Sequence, residues 1–144
     1  MIKHVTILTQ IELESIMTIW LETNISAHSY IPKEYWIDNI NFIKQELPKS
    51  DIYISIDSNE EINGFLGVQN GYIAGIFVKN ECQKIGIGSQ LIEAAKQDFN
   101  KLTLTVYEKN IQAKIFYEKQ GFVVIDKQMD EENQEKEIVM TWKN

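Results

Sequence analysis

A strand, a glycine-containing loop, an amphipathic helix and a second strand follow one another between residues 72 and 106. The two strand segments, YIAGIFV and LTLTV, are short apolar runs with strand-like composition. Between them, apolar and small residues recur at helical spacing, namely Gly88, Leu91, Ile92, Ala95 and Phe99. A crossover of this length lets the two strands pair in parallel, with a right-handed connection. This segment therefore predicts an α/β fold.

Two antiparallel hairpins are predicted before this unit. Residues 51–56 alternate between apolar and polar side chains, and a polar turn separates them from the apolar run 62–68. Asn70-Gly71 then lies between that run and residues 72–78, which is a strong signal for a tight hairpin. The sheet is consequently predicted to be mixed.

The remaining segments complete the predicted order of elements. A strand is predicted at residues 4–9, followed by a helix with the apolar stripe Leu13, Ile16, Met17, Trp20 and Leu21. A second helix is predicted to begin at Pro32 and to end at Pro48, with Tyr35, Trp36, Ile40, Ile43 and Leu47 facing inward. A fourth helix is predicted after Asn110 as N-cap, with Gly121 as its stop, and two strands follow. The order is β-α-α-β-β-β-α-β-α-β-β in one domain spanning residues 1–144.

Composition excludes several classes of function. The chain has 14 Lys plus Arg against 21 Asp plus Glu, a formal net charge of −7, so nucleic acid is not an expected partner. No apolar stretch approaches the length of a membrane span, and the start lacks a signal-peptide layout, so we expect a cytoplasmic protein without a membrane partner. The single cysteine, Cys82, fits a reducing compartment. With only His4 and His28 beside it, we expect no metal site.

Gly86 and Gly88 lie at the start of the predicted third helix, where glycine lowers helix stability. A dinucleotide fingerprint does not fit because Leu91 occupies the third glycine position, and a Walker loop lacks its Gly-Lys-Ser/Thr ending. Two interpretations stay open on spacing alone. One is a tight turn with close helix packing, and the other is a phosphate cradle of free N–H groups at a helix start. Lys79 and Lys84 would supply cations to a phosphate, in a chain without arginine.

Two motifs resemble those of the GNAT N-acetyltransferase superfamily. The segment QKIGIG, after the strand GIFV, resembles its Gln/Arg-x-x-Gly-x-Gly/Ala acetyl-CoA motif. The segment NIQAKIFYEKQGF resembles its second signature, through Asn110, Ala113, Phe116, Tyr117, Gly121 and Phe122. The GNAT fold matches the predicted order along essentially the whole chain: an α/β (α+β) domain with a mixed, mostly antiparallel sheet of six to seven strands and four helices. The segments IWLETNISAHSYI, YWIDN and MTW further resemble small bacterial members proposed to acetylate protein lysines.

The resemblance implies that acetyl-CoA is the co-substrate and that no metal is required. The pantetheine arm would lie between splayed strands 72–78 and 102–106, bonded by backbone groups of Phe77 and Val78. An N–H near Ile76 or Phe77 would polarise the thioester carbonyl. The N–H groups of residues 84–89 would hold the pyrophosphate. The implied cofactor-binding residues are Ile76, Phe77, Val78, Gln83, Lys84, Ile85, Gly86, Ile87, Gly88, Ser89, Asn110, Ala113 and Phe116.

The resemblance also implies that Tyr117 is the general acid. A phenol of pKa about 10 can protonate a leaving thiolate whose thiol has a pKa of about 8.5. A packed tyrosine with a satisfied hydroxyl is the alternative. His28 and Glu108 are candidate bases for the amine, and the expected acceptor-binding residues are His28, Tyr30 and Tyr107. Cys82 is expected to be a bystander because direct transfer needs no nucleophile on the protein.

Two functions from different classes remain. The first is an N-acetyltransferase that moves the acetyl group directly to a primary amine in a ternary complex. Its acceptor would be a protein lysine, a protein N-terminus or a small amine, and the acidic surface favours a cationic one. The second is a non-catalytic acyl-CoA-binding sensor or partner-binding module. The protein would be a monomer or a homodimer.

Overall fold

The computed structural model describes the whole chain, residues 1–144. Seven strands and five α-helices follow one another: β1 (Ile2–Val5), α1 (Gln10–Ala27), α2 (Lys33–Asp38), α3 (Ile40–Glu46), β2 (Asp51–Ile56), β3 (Ile62–Gln69), β4 (Tyr72–Val78), α4 (Ile87–Asp98), β5 (Lys101–Tyr107), α5 (Ile111–Lys119), β6 (Val123–Asp130) and β7 (Glu135–Lys143). Short 3-10 turns occupy Leu47–Lys49 and Asn80–Cys82. The predicted α/β class is confirmed.

All strands join one sheet, in the order β1-β2-β3-β4-β5-β7-β6. β4 and β5 are parallel, as predicted, and every other neighbouring pair is antiparallel. The β3–β4 turn holds Asn70 and Gly71 at φ 53° and 78°, the positive values that a type I′ turn requires. The hairpin prediction is therefore confirmed, and β4 is placed in the middle of the sheet.

Helices cover both faces of the sheet because β2 to β4 are apolar on both sides. Ile52 and Ile54 face the helices α1 to α3, where Trp20 and Trp36 meet edge to face at 5.9 Å. Tyr53, on the opposite face of β2, belongs to the second core, which lies under α4 and α5. Each fully buried large side chain of this kind contributes about 1.5 to 3 kcal/mol. The sheet edge beyond these cores, β6, is exposed along almost its whole length.

The prediction of four helices is wrong by one, since the expected second helix is two helices. Asn39 separates α2 from α3, with its N–H donating to Trp36 O at 3.2 Å rather than to the carbonyl four residues back. The carbonyl four residues back, Tyr35 O, instead accepts a hydrogen bond from the Asn39 side-chain Nδ2 at 2.7 Å. An asparagine side chain that competes in this way interrupts the helical ladder.

No helix of the chain combines the length and the apolar content that crossing a bilayer requires.

The first strand also begins and ends earlier than predicted, at Ile2–Val5 instead of residues 4–9. A capping box excludes Thr9, the last residue of the predicted strand, and starts α1 there. Thr9 Oγ1 accepts from Glu12 N at 3.1 Å, and Glu12 Oε1 accepts from Thr9 N at 2.9 Å. This reciprocal pair stabilises a helix start where the apolar pattern alone indicated a strand.

Candidate active site

β4 and β5 diverge after their first residues. Tyr72 and Thr103 form the one registered pair between the strands, near their N-terminal ends. Toward the C-terminal ends, the gap opens into a cavity of about 410 Å³. Its wall combines β4 and β5 with the start of α5 and with residues of α1 to α3. A parallel pair that separates in this way exposes backbone groups on the two facing edges.

A bulge in β4 lies at this cavity. Gly67 pairs with Gly75 and Val68 with Ile73, so Ala74 is an extra residue in the strand. The ring of Phe77 folds back over Gly75, where an added Cβ would lie 2.4 Å from the ring. Ile76 and Phe77, expected to face the thioester, both line the cavity, whereas Val78 does not. The need for glycine at position 75 was not apparent from the sequence.

The two glycines at the start of α4 are required for different structural reasons. Gly86 is the N-cap at φ 93°, a left-handed conformation, and an added Cβ would meet nothing within 4 Å. Gly88 instead packs under Phe116, whose ring would lie 3.1 Å from an added Cβ. Gly86 therefore serves the backbone turn, and Gly88 the close approach of α5.

The start of α4 leaves N–H groups available. No side chain caps the helix, and its first i to i−4 bond is Gln90 N to Gly86 O at 3.1 Å. The N–H groups of Ile87, Gly88 and Ser89 precede that bond. Together with the open space beside Gly86, this arrangement fits an anionic group such as a pyrophosphate.

The side chains around this loop are engaged with the protein or exposed. Gln83 Nε2 donates to Val78 O at 3.0 Å, which ties the loop to the end of β4. Ser89 Oγ accepts from Gln120 Nε2 at 3.0 Å. Lys84 has a positive φ of 68° and, like Ile85, has an exposed side chain. Gln83 and Ser89 are thus engaged with the protein, whereas Lys84 and Ile85 have their side chains in solvent.

Tyr117 extends from α5 into the cavity wall, beside Ala113. Its ring packs against Phe116 and Phe122, with centroids 5.2 Å and 5.6 Å away. Burial raises the pKa of Tyr117, so the phenol stays protonated at neutral pH. The hydroxyls of two other tyrosines, Tyr53 and Tyr107, donate to carboxylates, whereas that of Tyr117 has no such partner.

His28 ends α1 and connects it with α5. Its Nδ1 lies 3.1 Å from Asn24 O, and its Nε2 lies 3.4 Å from Asn110 Nδ2. With a carbonyl on one side and an amide NH₂ on the other, Nδ1 carries the proton and Nε2 accepts. Burial lowers the pKa of His28, opposed by the Asn24 hydrogen bond, so the ring is neutral. Asn110 also caps α5, with its Oδ1 accepting from Ala113 N at 3.3 Å.

An aromatic wall surrounds His28. Its ring stacks on Trp36 at 5.2 Å and meets Tyr30 and Tyr107 edge-on at 5.8 Å and 5.3 Å. Burial, and secondly Glu135, raises the pKa of Tyr30 to about 12, and its buried hydroxyl has no partner. The three residues expected at the acceptor end, His28, Tyr30 and Tyr107, are thus brought together by contacts between distant segments.

The carboxylates are arranged differently from expectation. Glu108 is exposed just past β5, where its N–H donates to Lys136 O at 2.9 Å, and its side chain is not part of the cavity wall. Glu132 and Glu137 do line the cavity. Glu132 lies in the turn between β6 and β7, and Glu137 lies on β7. The register that pairs Tyr107 with Glu137 is what brings that strand to the cavity.

The chain matches the profile of the acetyltransferase (GNAT) domain over residues 27–143. The chain belongs to the GNAT acetyltransferase family. This GNAT domain is 30% identical to the peptidyl-lysine N-acetyltransferase YiaC of Escherichia coli K12, over 91% of this chain and 90% of YiaC. It is 26% identical to the E. coli peptidyl-lysine N-acetyltransferase YjaB, over 77% and 76% of the two chains.

Solved structures agree with the fold of this GNAT domain. The solution structure of apo YjaB from E. coli superposes with a TM-score of 0.83, at 22% identity, over 99% of this chain and 96% of that one. A Bacillus anthracis protein crystallised with acetyl coenzyme A superposes with a TM-score of 0.60 at 26% identity, over 66% and 63%. The predicted family and the predicted mixed, mostly antiparallel sheet are confirmed.

Proposed function

We propose that this GNAT domain transfers the acetyl group of acetyl-CoA directly to the ε-amine of a protein lysine in a ternary complex. Family membership makes it an acetyltransferase, and the peptidyl-lysine activity named for YiaC and YjaB supports the choice of acceptor. The observation that carries the proposal is a single cavity. It joins the gap between β4 and β5, the phenol of Tyr117 and the aromatic wall around His28.

The cofactor site is proposed on the backbone of the glycine loop. Acetyl-CoA, as bound by the B. anthracis relative, supplies an activated acetyl thioester. The N–H groups at the start of α4 would hold its pyrophosphate, and Gln83 acts by fixing the loop to Val78. Backbone groups of Phe77 and Val78 would bond the pantetheine arm in the gap that opens beyond the Tyr72–Thr103 pair. Ala113 is small enough to leave room beside Tyr117.

Tyr117 is the proposed proton donor to the leaving thiolate. Because burial raises the pKa of its phenol above 10, complete transfer to a thiolate of conjugate pKa about 8.5 is uphill by at least about 2 kcal/mol. A hydrogen bond from the phenol to the developing thiolate is therefore the main contribution, and the proton follows as the C–S bond breaks. The same raised pKa keeps the donor form present over the whole physiological range.

The amine must lose a proton before it attacks. A lysine of pKa about 10.4 is neutral in about 1 part in 2,500 at pH 7, a cost of about 4.6 kcal/mol. Neutral His28 remains the proposed acceptor of that proton, but its Nε2 must first release the Asn110 amide. In His28→Ala, the inflection that His28 contributes to the acidic limb of the pH–rate profile should therefore be lost, while the dependence set by the amine itself is retained. A parent-like profile would exclude His28 as the base.

Thiol release from acetyl-CoA tests the function. The purified protein is incubated with amines, polyamines and lysine peptides, and acetylated products are located by mass spectrometry. Release that depends on lysine peptides, with acetyl on the ε-amine, is the expected result. Binding of acetyl-CoA without release for any acceptor would instead establish the non-catalytic sensor.

The location in the cell and the range of partners are also proposed. One free thiol, Cys82, fits the reducing cytoplasm, and the net charge of −7 disfavours nucleic acid. A cytoplasmic enzyme that acts on protein substrates is therefore the proposed setting. Fractionation of cells with an antibody to the protein would contradict it if the protein were found elsewhere.

A further inference from the structure

Two negative charges of the cavity wall are not balanced by any cation of the chain. Glu132 and Glu137 line the cavity, but neither takes part in an ion pair, whereas Glu135 nearby is bound by Lys109 Nζ at 3.1 Å. Glu137 Oε1 accepts from the neutral Gln128 amide at 3.1 Å. The cavity wall contains no lysine. It is therefore electronegative.

The β6–β7 turn is held in place over this wall. Tyr107 Oη donates to Asp130 Oδ2 at 2.6 Å, and Asn133 Nδ2 donates to the same oxygen at 3.0 Å. The N–H of Glu132 donates to Asp130 Oδ1 at 3.1 Å. The position of Glu132 thus depends on an ordered turn that is anchored to β5.

Aromatic rings face the same charges. Burial first, and then Glu132, Asp130 and Glu137, raises the pKa of Tyr35, so these carboxylates act on the same end of the cavity. Tyr35 meets Trp36 edge to face at 5.0 Å, and both line the cavity. Carboxylates beside aromatic rings form a favourable environment for a cation.

Strand order places these charges away from the reacting centre. Glu137 lies on β7 opposite Tyr107, and β5 separates β7 from the gap where the thioester is proposed to lie. Neighbouring strands are about 4.8 Å apart, so Glu137 lies about 5 to 10 Å from that gap. At this separation Glu137 would contact a part of the acceptor other than the reacting amine.

We propose that Glu132 and Glu137 form a subsite for a second positive charge of the acceptor. The preferred acceptor then carries a cation about 5 to 10 Å from the reacting amine. A lysine with an adjacent basic residue has this chemistry, and so does a short free diamine. The inference rests on the proposed acetyltransferase function and specifies its substrate class.

Matched acceptor pairs test the subsite on the whole protein. One pair is a single-lysine peptide flanked by glycines and the same peptide with arginine next to the lysine. The other pair is butylamine and 1,4-diaminobutane. The dicationic member should have the higher kcat/KM by about tenfold or more, chiefly through a lower KM, at low ionic strength. A higher kcat/KM for the arginine-containing peptide than for its glycine-flanked partner identifies a protein acceptor. A higher kcat/KM for 1,4-diaminobutane than for butylamine, without a difference between the peptides, identifies a free diamine.

Charge-neutral variants locate the effect. Glu132→Gln and Glu137→Gln should each lower the preference by up to about tenfold through the acceptor KM, with the acetyl-CoA KM unchanged. Glu131→Gln is the matched control, because Glu131 has the same charge in the same turn and does not line the cavity. Circular dichroism checks that each variant is folded. If one of the two variants unfolds, the other still locates the effect.

The outcomes separate the two proposals. An active parent with equal kcat/KM for both members of each pair overturns the subsite and leaves the transferase function standing. Equal loss in Glu131→Gln and in the cavity variants also overturns it, since a general surface charge would then be responsible. No thiol release with any amine overturns the transferase function, and the subsite with it.

Discussion

Replacing Tyr117 with phenylalanine isolates the proposed proton donor. The hydroxyl donates to no carboxylate of the chain, and the ring keeps its contacts with Phe116 and Phe122. The variant should therefore unfold within a few degrees of the parent. What is lost is one hydrogen bond to a developing thiolate, for which we expect a kcat about 10²-fold lower, or about 2.7 kcal/mol. The KM for acetyl-CoA should change little, because the bond forms in the transition state.

Steady-state thiol release with saturating acceptor measures this effect, and calorimetry measures acetyl-CoA affinity separately. Tyr53→Phe is the matched control, since Tyr53 Oη donates to Asp98 and its side chain does not line the cavity. The control should retain parental kcat. If Tyr117→Phe also retained it, the phenol would be a packing residue and the proposed mechanism would be wrong. A kcat loss accompanied by an equal loss of acetyl-CoA affinity would likewise refute the reasoning.

Three further changes probe the loop, the histidine and the β6–β7 turn. Gly86→Ala forces an alanine into φ 93°, at a cost of about 1 to 2 kcal/mol, and should weaken acetyl-CoA binding by calorimetry, whereas Gly67→Ala, with only ordinary contacts, should not. Burial lowers the pKa of His28 in the folded protein. Below about pH 6.5, His28 therefore binds a proton more readily in the unfolded chain than in the folded one. Parental stability should thus fall as pH falls through this range, and thermal unfolding of His28→Ala should lack that component. Tyr107→Phe removes the bond to Asp130 and should raise the acceptor KM several-fold at constant acetyl-CoA KM; an unchanged acceptor KM would separate this turn from acceptor binding.

Much of the fold could be predicted because its signals are local. Alternation identified β2, apolar runs identified β3 to β5, and the Asn70-Gly71 turn identified the hairpin, since positive φ at both positions favours these residues. The N-cap at Asn110 was also predicted correctly. The errors occurred where a side chain overrode the apolar pattern. Thr9 begins α1 with a capping box, and Asn39 divides a helix by bonding to Tyr35 O.

The glycine loop shows what a short motif can and cannot predict by itself. Its spacing left close packing and phosphate binding as alternatives. Gly88 packs under Phe116, whereas Gly86 supports a turn beside open space, so close packing is found at Gly88 and phosphate binding stays a prediction. The close packing of Gly88 involves α5, which is separated from α4 in the chain by β5. No local sequence pattern could therefore have predicted this contact.

Periodicity, turn residues and two short motifs determined the class of fold, the family and the positions of Tyr117 and the glycine loop, because each depends on neighbours a few residues away. The arrangement of residues at the proposed acceptor end was decided only by tertiary structure. His28 meets Asn110 across 82 positions, and the β5–β7 register brings Glu137 into the cavity while Glu108 stays outside. Contacts of this kind depend on how strands pair and how helices pack across the sheet. No local pattern in the sequence predicts these long-range contacts.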